Sequence, residues 1–206
     1  MAMLEPRKFW YLRHGETDWN ARGLSQGRSD IALNATGLAQ GEQAGRILAE
    51  RSDRYGRIAR IVSSPLQRAL RTAEIAARDM ALTGHPEVSV SIDPDLQEVC
   101  FGVQEGQPMG DWYDSWIAGE YTPEGAEPFA ELKARAAASV NRATARTTDD
   151  GGGVVMIVAH GALFRALRAA MHLPANVRLP NAVPLWLEPG PDPEAPWSLT
   201  ELSQVA

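Results

Sequence analysis

The chain alternates short apolar runs of strand length with longer segments whose apolar residues recur at helical spacing, and it has no internal repeat. Strands are predicted over six ranges: Phe9–Leu12, Ile58–Val62, Val88–Ile92, Val154–Ala159, Ala182–Leu187 and Trp197–Leu202. Helices are predicted over Leu38–Ala49, from Ser64 through Ala77, and over Ala162–Met171. This alternation is typical of an α/β domain in which helices pack on a sheet.

Length and charge narrow the class of protein. A chain of 206 residues fits one domain, and we predict a single domain over 1–206. The formal net charge of −6 argues against a nucleic-acid partner, which binds basic surfaces. No stretch is long and apolar enough to span a membrane. With one cysteine, Cys100, and no signal-peptide pattern at the start, the sequence predicts a cytoplasmic protein without a membrane partner.

The start of the second predicted helix is marked by the run Ser64-Pro65-Leu66-Gln67. Serine is a good N-cap, proline suits the first helical position, and Gln67 can reach back as in a capping box. We therefore expect the helix to begin directly after Ser64, with Arg68 one turn into it.

The interval 103–131 differs from the rest of the chain. It is rich in glycine and proline, and only a short helix around Trp112–Trp116 is indicated. A long loop inside a compact domain is usually functional or disordered. We predict that this interval, called the lid below, covers a site. Its aromatic residues Trp112, Tyr113 and Trp116 would form a small core of the lid or a surface that covers the substrate.

Two predicted strands end in a histidine followed by a glycine, in the runs Arg13-His14-Gly15 and Ala159-His160-Gly161. A third strand ends just before Ser64, close to Arg68. In α/β sheets the site lies outside the carboxyl ends of the strands, so both histidines and both arginines are expected to meet there. Guanidinium groups match phosphate oxygens in pairs, and neutral imidazole is an available nucleophile near pH 7. The sequence therefore predicts a site for phosphoryl chemistry.

Four motifs occur in order along the chain, and together they resemble those of the histidine phosphatase superfamily, in its phosphoglycerate-mutase-like branch. The resemblance implies a three-layer α/β/α sandwich with a central, mostly parallel sheet and a lid. The matching residues are Arg13-His14-Gly15-Glu16-Thr17 with Trp19-Asn20 and Gln26-Gly27; Ser63 to Ala69 with Thr72-Ala73; Leu96-Gln97-Glu98 with Phe101-Gly102 and Glu105-Gly106; and Val158-Ala159-His160-Gly161, with Asn181 near the end.

The resemblance also implies a role for each matched site residue. His14 would attack phosphorus, and Glu98 would donate a proton to the leaving oxygen and then help to activate water. Glu105 is a nearby competitor for the acid role. The expected phosphate and substrate contacts are Arg13, Arg68, His160, Asn20, Gln26, Gly27 and the backbone amide of Gly161. No cofactor and no metal ion are expected, the partner is a small phosphomonoester, and a homodimer is allowed.

The charge of the lid favours a phosphatase over a mutase. Between Val99 and Leu132 there is no lysine or arginine, but there are seven acidic residues. Unit charges 4 Å apart interact by about 4 kcal/mol at an effective dielectric of 20, so such a lid would repel a bisphosphorylated intermediate. Phosphoglycerate mutase is the second hypothesis, and a non-catalytic phosphate-binding protein is the third. An acidic rim would also favour a substrate whose non-phosphate part is neutral or cationic.

The absence of paired cysteine or histidine ligand spacings leads to a first prediction. Incubation with EDTA, followed by removal of the chelator, is expected to leave phosphatase turnover within twofold of the untreated protein, because a histidine nucleophile needs no metal ion. Turnover of a chromogenic phosphomonoester measures the effect. A loss of activity that added Mg²⁺ or Zn²⁺ restores would contradict the predicted chemistry.

Overall fold

A computed structural model describes residues 3–145 and 153–203. Six strands form one sheet in the order β3-β2-β4-β1-β5-β6. The strands are β1 (Phe9–Arg13), β2 (Ile58–Ser63), β3 (Ser89–Ile92), β4 (Val154–Ala159), β5 (Pro184–Glu188) and β6 (Ser198–Glu201). Strands β1, β4, β2 and β3 pair in parallel, whereas β5 and β6 join antiparallel. The sheet is therefore mixed and mostly parallel, as predicted.

Six α-helices lie within the described residues. They are α1 (Asp18–Ala21), α2 (Ala35–Tyr55), α3 (Gln67–Leu82), α4 (Trp112–Ala118), α5 (Phe129–Ala145) and α6 (Gly161–Ala170). Two short 3-10 turns occur at Pro94–Leu96 and Gly102–Gln104. No helix among the described residues is long and apolar enough to cross a membrane.

The two faces of the sheet carry separate cores, and β1 shows how the sequence divides between them. Phe9 and Tyr11 belong to the core on the side of α5 and α6. Trp10 and Leu12 belong to the core on the side of α2 and α3. Because successive strand side chains point to opposite faces, a continuous apolar run serves both cores at once. The result is the predicted α/β/α sandwich.

The predicted start of the second helix is wrong. Helix α3 begins at Gln67 with Leu66 as its N-cap, and no side chain caps it. The Ser64 hydroxyl instead lies 2.7 Å from Nε2 of His160. Gln67 does not reach back, because its backbone and side-chain nitrogens donate to Asp30. Tertiary partners therefore replace the local capping pattern at this helix start.

Three helices and one strand boundary depart from the sequence predictions. Helix α2 begins three residues before and ends six residues after the predicted range Leu38–Ala49. Neither α1 nor α5 was predicted, although α5 buries a stripe of Leu132, Ala136 and Val140. Because α5 begins at Phe129, the last residues of the predicted lid are helical. Strand β5 begins later than predicted, since Ala182 has a left-handed φ of 49° that a strand does not allow.

The lid has an aromatic core of its own. The rings of Trp112, Tyr113 and Trp116 each lie 5.5–5.9 Å from the ring of Phe101. Trp116 is fully buried, and its indole nitrogen donates to the carbonyl of Glu127 at 2.9 Å. The aromatic residues of the lid therefore act first as packing, and Tyr113 alone among these three also lines the cavity described below.

Two glycines let the loop after β1 approach the first turn of α2. A Cβ atom added at Gly37 would lie 2.1 Å from the carbonyl oxygen of Glu16, and one added at Gly15 would lie 2.4 Å from the carbonyl oxygen of Gly37. The same loop is tied down because Asn34 donates its backbone N–H to the Glu16 carbonyl at 3.0 Å. This close approach fixes the main chain directly beyond His14.

Gly37→Ala is expected to destabilise the fold by about 1–3 kcal/mol, because a methyl group cannot fit against backbone atoms without a shift of the loop. The higher helix propensity of alanine would offset about 1 kcal/mol of this cost. Urea denaturation measures the free energy of unfolding. Gln43→Ala, at an exposed position of α2, is the control and should stay within about 0.5 kcal/mol of wild type. A Gly37→Ala protein as stable as the control would contradict the close approach.

Candidate active site

A cavity of about 360 Å³ opens at the carboxyl ends of the central strands. It contains eight of the nine predicted site residues: Arg13, His14, Asn20, Gln26, Gly27, Arg68, Glu98 and Gly161. The ninth, His160, is fully buried and does not line it. The volume suits a small metabolite.

The ring of His14 is oriented by a hydrogen bond to the main chain of the next residue. Its Nδ1 lies 2.7 Å from the carbonyl oxygen of Gly15, and the side chain is only 2% exposed. A carbonyl oxygen can only accept, so Nδ1 carries the proton and the lone pair is on Nε2. Asn181 donates to the His14 carbonyl at 2.9 Å and holds the main chain in place. This tautomer is the one that a nucleophile requires.

His160 lies behind His14, with ring centroids 5.3 Å apart. Its Nε2 is 2.7 Å from the Ser64 hydroxyl, and its buried Nδ1 has no hydrogen-bond partner among the described residues. The Tyr11 hydroxyl donates to the His160 carbonyl at 2.7 Å. Serine, histidine and tyrosine therefore form one buried polar group beneath the cavity. The predicted contact of His160 with phosphate stays a prediction.

The two predicted arginines are fixed by main-chain carbonyls. Arg68 is 1% exposed and donates to the carbonyls of Gly27 at 2.7 Å and Ser29 at 2.8 Å. Arg13 donates to the carbonyl of Leu179 at 2.5 Å. A Cβ atom on Gly161 would come within 3.3 Å of Nε of Arg13, so a glycine at this position leaves room for the guanidinium. Both cations therefore have defined positions beside His14.

Burial and the charges of the two arginines both lower the pKa values of the two histidines. Burial, followed by the charges of Arg68 and Arg13, lowers the pKa of His14 well below 6.5. Burial, followed by the charge of Arg68 and the neighbouring His14, lowers the pKa of His160 in the same way. Burial also lowers the pKa of Arg13 to about 10, so this side chain stays cationic at neutral pH. The site therefore combines neutral imidazoles with charged guanidinium groups.

Glu98 reaches the cavity from the segment after the first 3-10 turn. Its carboxylate accepts hydrogen bonds from the backbone N–H groups of Ala162 at 3.0 Å, Leu163 at 2.9 Å and Val99 at 3.0 Å. Ala162 and Leu163 belong to the first turn of α6, where a carboxylate is stabilised by the helix dipole. The side chain is thus held rigidly at the cavity wall.

Glu105 is not a competitor for the acid role. Its oxygens accept from the backbone N–H groups of Arg28, Ser29 and Phe101 and from the Ser29 hydroxyl, and it does not line the cavity. A Cβ atom on Gly27 would lie 2.2 Å from Glu105 Oε1, and Gly27 has a left-handed φ of 52°. Glu105 therefore braces the loop that carries the predicted phosphate contact Gly27.

The sequence analysis missed two cationic residues of the cavity, Arg165 and Arg178. Arg165 lies in α6, one turn after His160, and this short spacing was a signal that could have found it. Arg178 lies in an irregular segment before β5 and has no local signal. Tyr113, Asp114 and Asn176 also line the cavity and were not assigned to it.

The expected acidic rim is wrong as a description of the cavity. Of the seven acidic residues of the lid, only Asp114 lines it. Glu105 points inward, and Glu127 forms an ion pair with Arg135 at 2.7 Å. The cavity lining instead contains four arginines against two carboxylates, because side-chain direction depends on packing that the order of residues does not show. The argument for a neutral or cationic substrate therefore loses its basis.

The fold is an α/β sandwich whose cavity at the strand ends is lined by four arginines and a buried histidine. A family model described as the histidine phosphatase superfamily (branch 1) matches residues 9–183. The chain belongs to the histidine phosphatase superfamily, which confirms the resemblance of its four motifs.

Curated relatives include phosphatases and mutases. The chain is 36% identical over 157 residues to the uncharacterized phosphatase PhoE of Bacillus subtilis (strain 168), a match that spans 76% of this chain and 72% of PhoE. It is 35% identical over 178 residues to a probable phosphoglycerate mutase GpmB of Proteus mirabilis (strain HI4320), covering 81% of this chain and 75% of the relative. Three longer mycobacterial relatives, each 34% identical, are matched over 41% of their length.

Among solved structures, the chain is similar to a mycobacterial glucosyl-3-phosphoglycerate phosphatase, Rv2419c, in complex with VO3. The TM-score is 0.76 at 28% identity, and the match covers 94% of this chain and 97% of the other. Together with the family membership, these similarities confirm the predicted fold class and show that the chain is a histidine phosphatase, a hydrolase.

The lowered histidine pKa values give a prediction for titration. In an NMR pH titration, the ring protons of His14 and His160 are expected to keep their neutral-form shifts at pH 6.5 and to change only at lower pH. Below about pH 6.5 the unfolded chain then binds more protons than the folded chain, so acidification through this range lowers the free energy of unfolding. The spectra of His14→Ala assign one resonance, and midpoints near 6.5 for both rings would contradict the lowered pKa values.

Proposed function

We propose that the protein hydrolyses a small phosphomonoester through a covalent phosphohistidine on Nε2 of His14. The observation that supports this most directly is the hydrogen bond from Nδ1 of His14 to the Gly15 carbonyl at 2.7 Å. This bond assigns the lone pair to Nε2 in a cavity that Arg13, Arg68 and Glu98 also line. A fixed tautomer removes the cost of orienting the nucleophile at the moment of attack.

In the first step, Nε2 of His14 forms a bond to phosphorus while the ester P–O bond breaks. The leaving oxygen takes a proton from the Glu98 carboxyl group, so the alcohol leaves neutral. In the second step, a water molecule attacks phosphorus and gives its proton to Glu98. The P–N bond breaks, inorganic phosphate leaves, and His14 returns to its neutral form.

The guanidinium groups of Arg13 and Arg68 stabilise the charge on the transferring phosphoryl group, because both are cationic and held beside His14. When Ser64 donates its hydroxyl proton to Nε2 of His160, Nδ1 of His160 carries a proton and becomes a donor for a phosphate oxygen. We assign Asn20, Gln26, Gly27 and the backbone amide of Gly161 to weaker contacts with phosphate or substrate, since all four line the cavity.

A phosphoglycerate mutase is the second candidate. The four arginines of the cavity lining would suit a doubly anionic ligand, and one relative is described as a probable phosphoglycerate mutase. Analysis of the products separates the two reactions, because a phosphatase releases inorganic phosphate from 3-phosphoglycerate and a mutase forms the 2-phospho isomer.

The cellular location, the substrate and the oligomeric state stay predictions. Among the described residues, no group of three or more histidine, cysteine or carboxylate side chains could hold a metal ion. We propose a cytoplasmic location, with which the single cysteine, unpaired as Cys100, is compatible. The proposed partner is a small phosphomonoester, and a homodimer remains allowed.

Rapid quench of the protein with a ³²P-labelled phosphomonoester is expected to give label on the protein that is stable to alkali and labile to acid, as a phosphoramidate bond requires. His14→Ala should lose this label and slow turnover by at least about 1,000-fold, as expected when a covalent nucleophile is removed. Arg46→Gln, at an exposed position of α2, is the control and should behave as wild type. Normal turnover by His14→Ala would rule out the proposed nucleophile.

A further inference from the structure

Arg135 and Glu127 form an ion pair that has no part in the proposed mechanism. Arg135 lies in the second turn of α5, and Glu127 lies in the lid, two residues before that helix begins. Nε and Nη2 of Arg135 donate to the two carboxylate oxygens of Glu127 at 2.8 Å and 2.7 Å. The side chains are 16% and 12% exposed, and neither lines the cavity. A two-point contact of this kind fixes the plane of the guanidinium group.

The same guanidinium group holds the main chain just before Glu98. Nη1 of Arg135 donates to the carbonyl of Asp95 at 2.6 Å and to the carbonyl of Gln97 at 2.8 Å. Both carbonyls belong to the chain in and directly after the 3-10 turn Pro94–Leu96, where they need donors from elsewhere in the fold. Arg135 therefore fixes the residue directly ahead of Glu98.

Glu127 holds the main chain on the other side of Glu98. Its backbone N–H donates to the carbonyl of Cys100 at 2.9 Å. Its own carbonyl accepts from the indole nitrogen of the buried Trp116, which ties it to the aromatic core of the lid. Arg28 adds a longer hydrogen bond, of 3.4 Å, to the carbonyl of Glu98 itself. The two members of one ion pair thus hold the chain on both sides of Glu98.

The carboxylate of Glu98 depends on this support because its partners lie on a different element. Its oxygens accept from the backbone N–H groups of Ala162 at 3.0 Å and Leu163 at 2.9 Å, in the first turn of α6. First-turn N–H groups have no acceptor within their own helix. A shift of the segment that carries Glu98 would therefore break these bonds and move the carboxyl group. A displacement of about 1 Å can slow a positioned chemical step by about 100-fold.

We propose that Arg135 and Glu127 are positioning residues, whose ion pair holds the Glu98 carboxyl group at the oxygen that leaves phosphorus. This role rests on the proposed function, in which the ester P–O bond breaks as Glu98 gives its proton to that oxygen. Because Glu127 belongs to the lid, the position of the acid then depends on how the lid is packed. An ion pair that only stabilised the domain would affect all substrates equally.

Two aryl phosphates distinguish positioning from stability. 4-Nitrophenyl phosphate releases an anion that its nitro group stabilises, whereas the anion of phenyl phosphate needs the proton of Glu98 much more. Arg135→Lys keeps the positive charge, but the three N–H donors of an ammonium group cannot replace all four hydrogen bonds. We expect kcat/KM for phenyl phosphate to fall about tenfold more than kcat/KM for 4-nitrophenyl phosphate. A lower folded fraction would reduce both values by the same factor.

Three further variants calibrate the ratio of the two kcat/KM values. Glu98→Gln gives the full effect of losing the proton donor. Glu127→Gln removes the charge that orients Arg135 and should change the ratio in the same direction, which keeps the test available if Arg135→Lys does not fold. Arg142→Lys is the matched control, because it makes the same replacement in the same helix at an exposed ion pair. Its ratio should stay within twofold of wild type.

Amide hydrogen exchange tests the position of Glu98 without reference to catalysis. In Arg135→Lys the N–H groups of Ala162 and Leu163 should exchange at least about tenfold faster than in wild type, while Ala166, in the middle of α6, stays unchanged. Wild-type exchange at both groups would overturn the inference and leave the phosphatase mechanism untouched. An unchanged ratio in Arg135→Lys would do the same if Glu98→Gln alters it. Faster exchange, combined with no effect of Glu98→Gln on the ratio, would support the positioning and reject Glu98 as the acid.

Discussion

Two histidines and two arginines lie together at one edge of the sheet. Their charges and their need for hydrogen-bond partners determine the arrangement of the loops around them. Burial together with the charges of Arg68 and Arg13 disfavours a positive charge on His14, which keeps its ring neutral. The arginines themselves need acceptors, because a buried guanidinium without partners is costly. The carbonyls of Gly27, Ser29 and Leu179 supply them, so two loops are fixed by the same cations that we propose to bind the phosphoryl group.

A second constraint links the proposed catalytic acid, Glu98, to the fold. The Glu98 carboxylate is bonded to the backbone of the first turn of α6, directly after His160. The same helix carries Arg165 toward the lid, where it stacks on Tyr113. One helix thus positions the buried histidine, the proposed acid and one arginine of the cavity lining.

Much of the fold could be predicted from the sequence. The predictions that were wrong failed for physical reasons. The strand Val154–Ala159 was predicted with its observed bounds, because a fully apolar run between three consecutive glycines in the sequence and a His-Gly end has few alternatives. Helix α5 was not predicted, because the loop inferred from the glycine and proline residues of the lid runs through residue 131 and overlaps the first turn of the helix. The prediction that Ser64 is the N-cap was wrong, because its hydroxyl forms a hydrogen bond with His160 instead of capping the helix.

The sequence by itself determined which residues could perform phosphoryl chemistry. His14, His160 and Arg68 follow strand ends, and the carboxyl ends of parallel strands share one edge, so their meeting was predictable. Only the tertiary structure decided the charge of the cavity. Among the acidic side chains of the lid, Glu105 bonds to backbone N–H groups and Glu127 pairs with Arg135, while Arg165 and Arg178 reach the cavity from segments far along the chain. Sequence gives the sign of each charge, but packing decides the direction in which its side chain points.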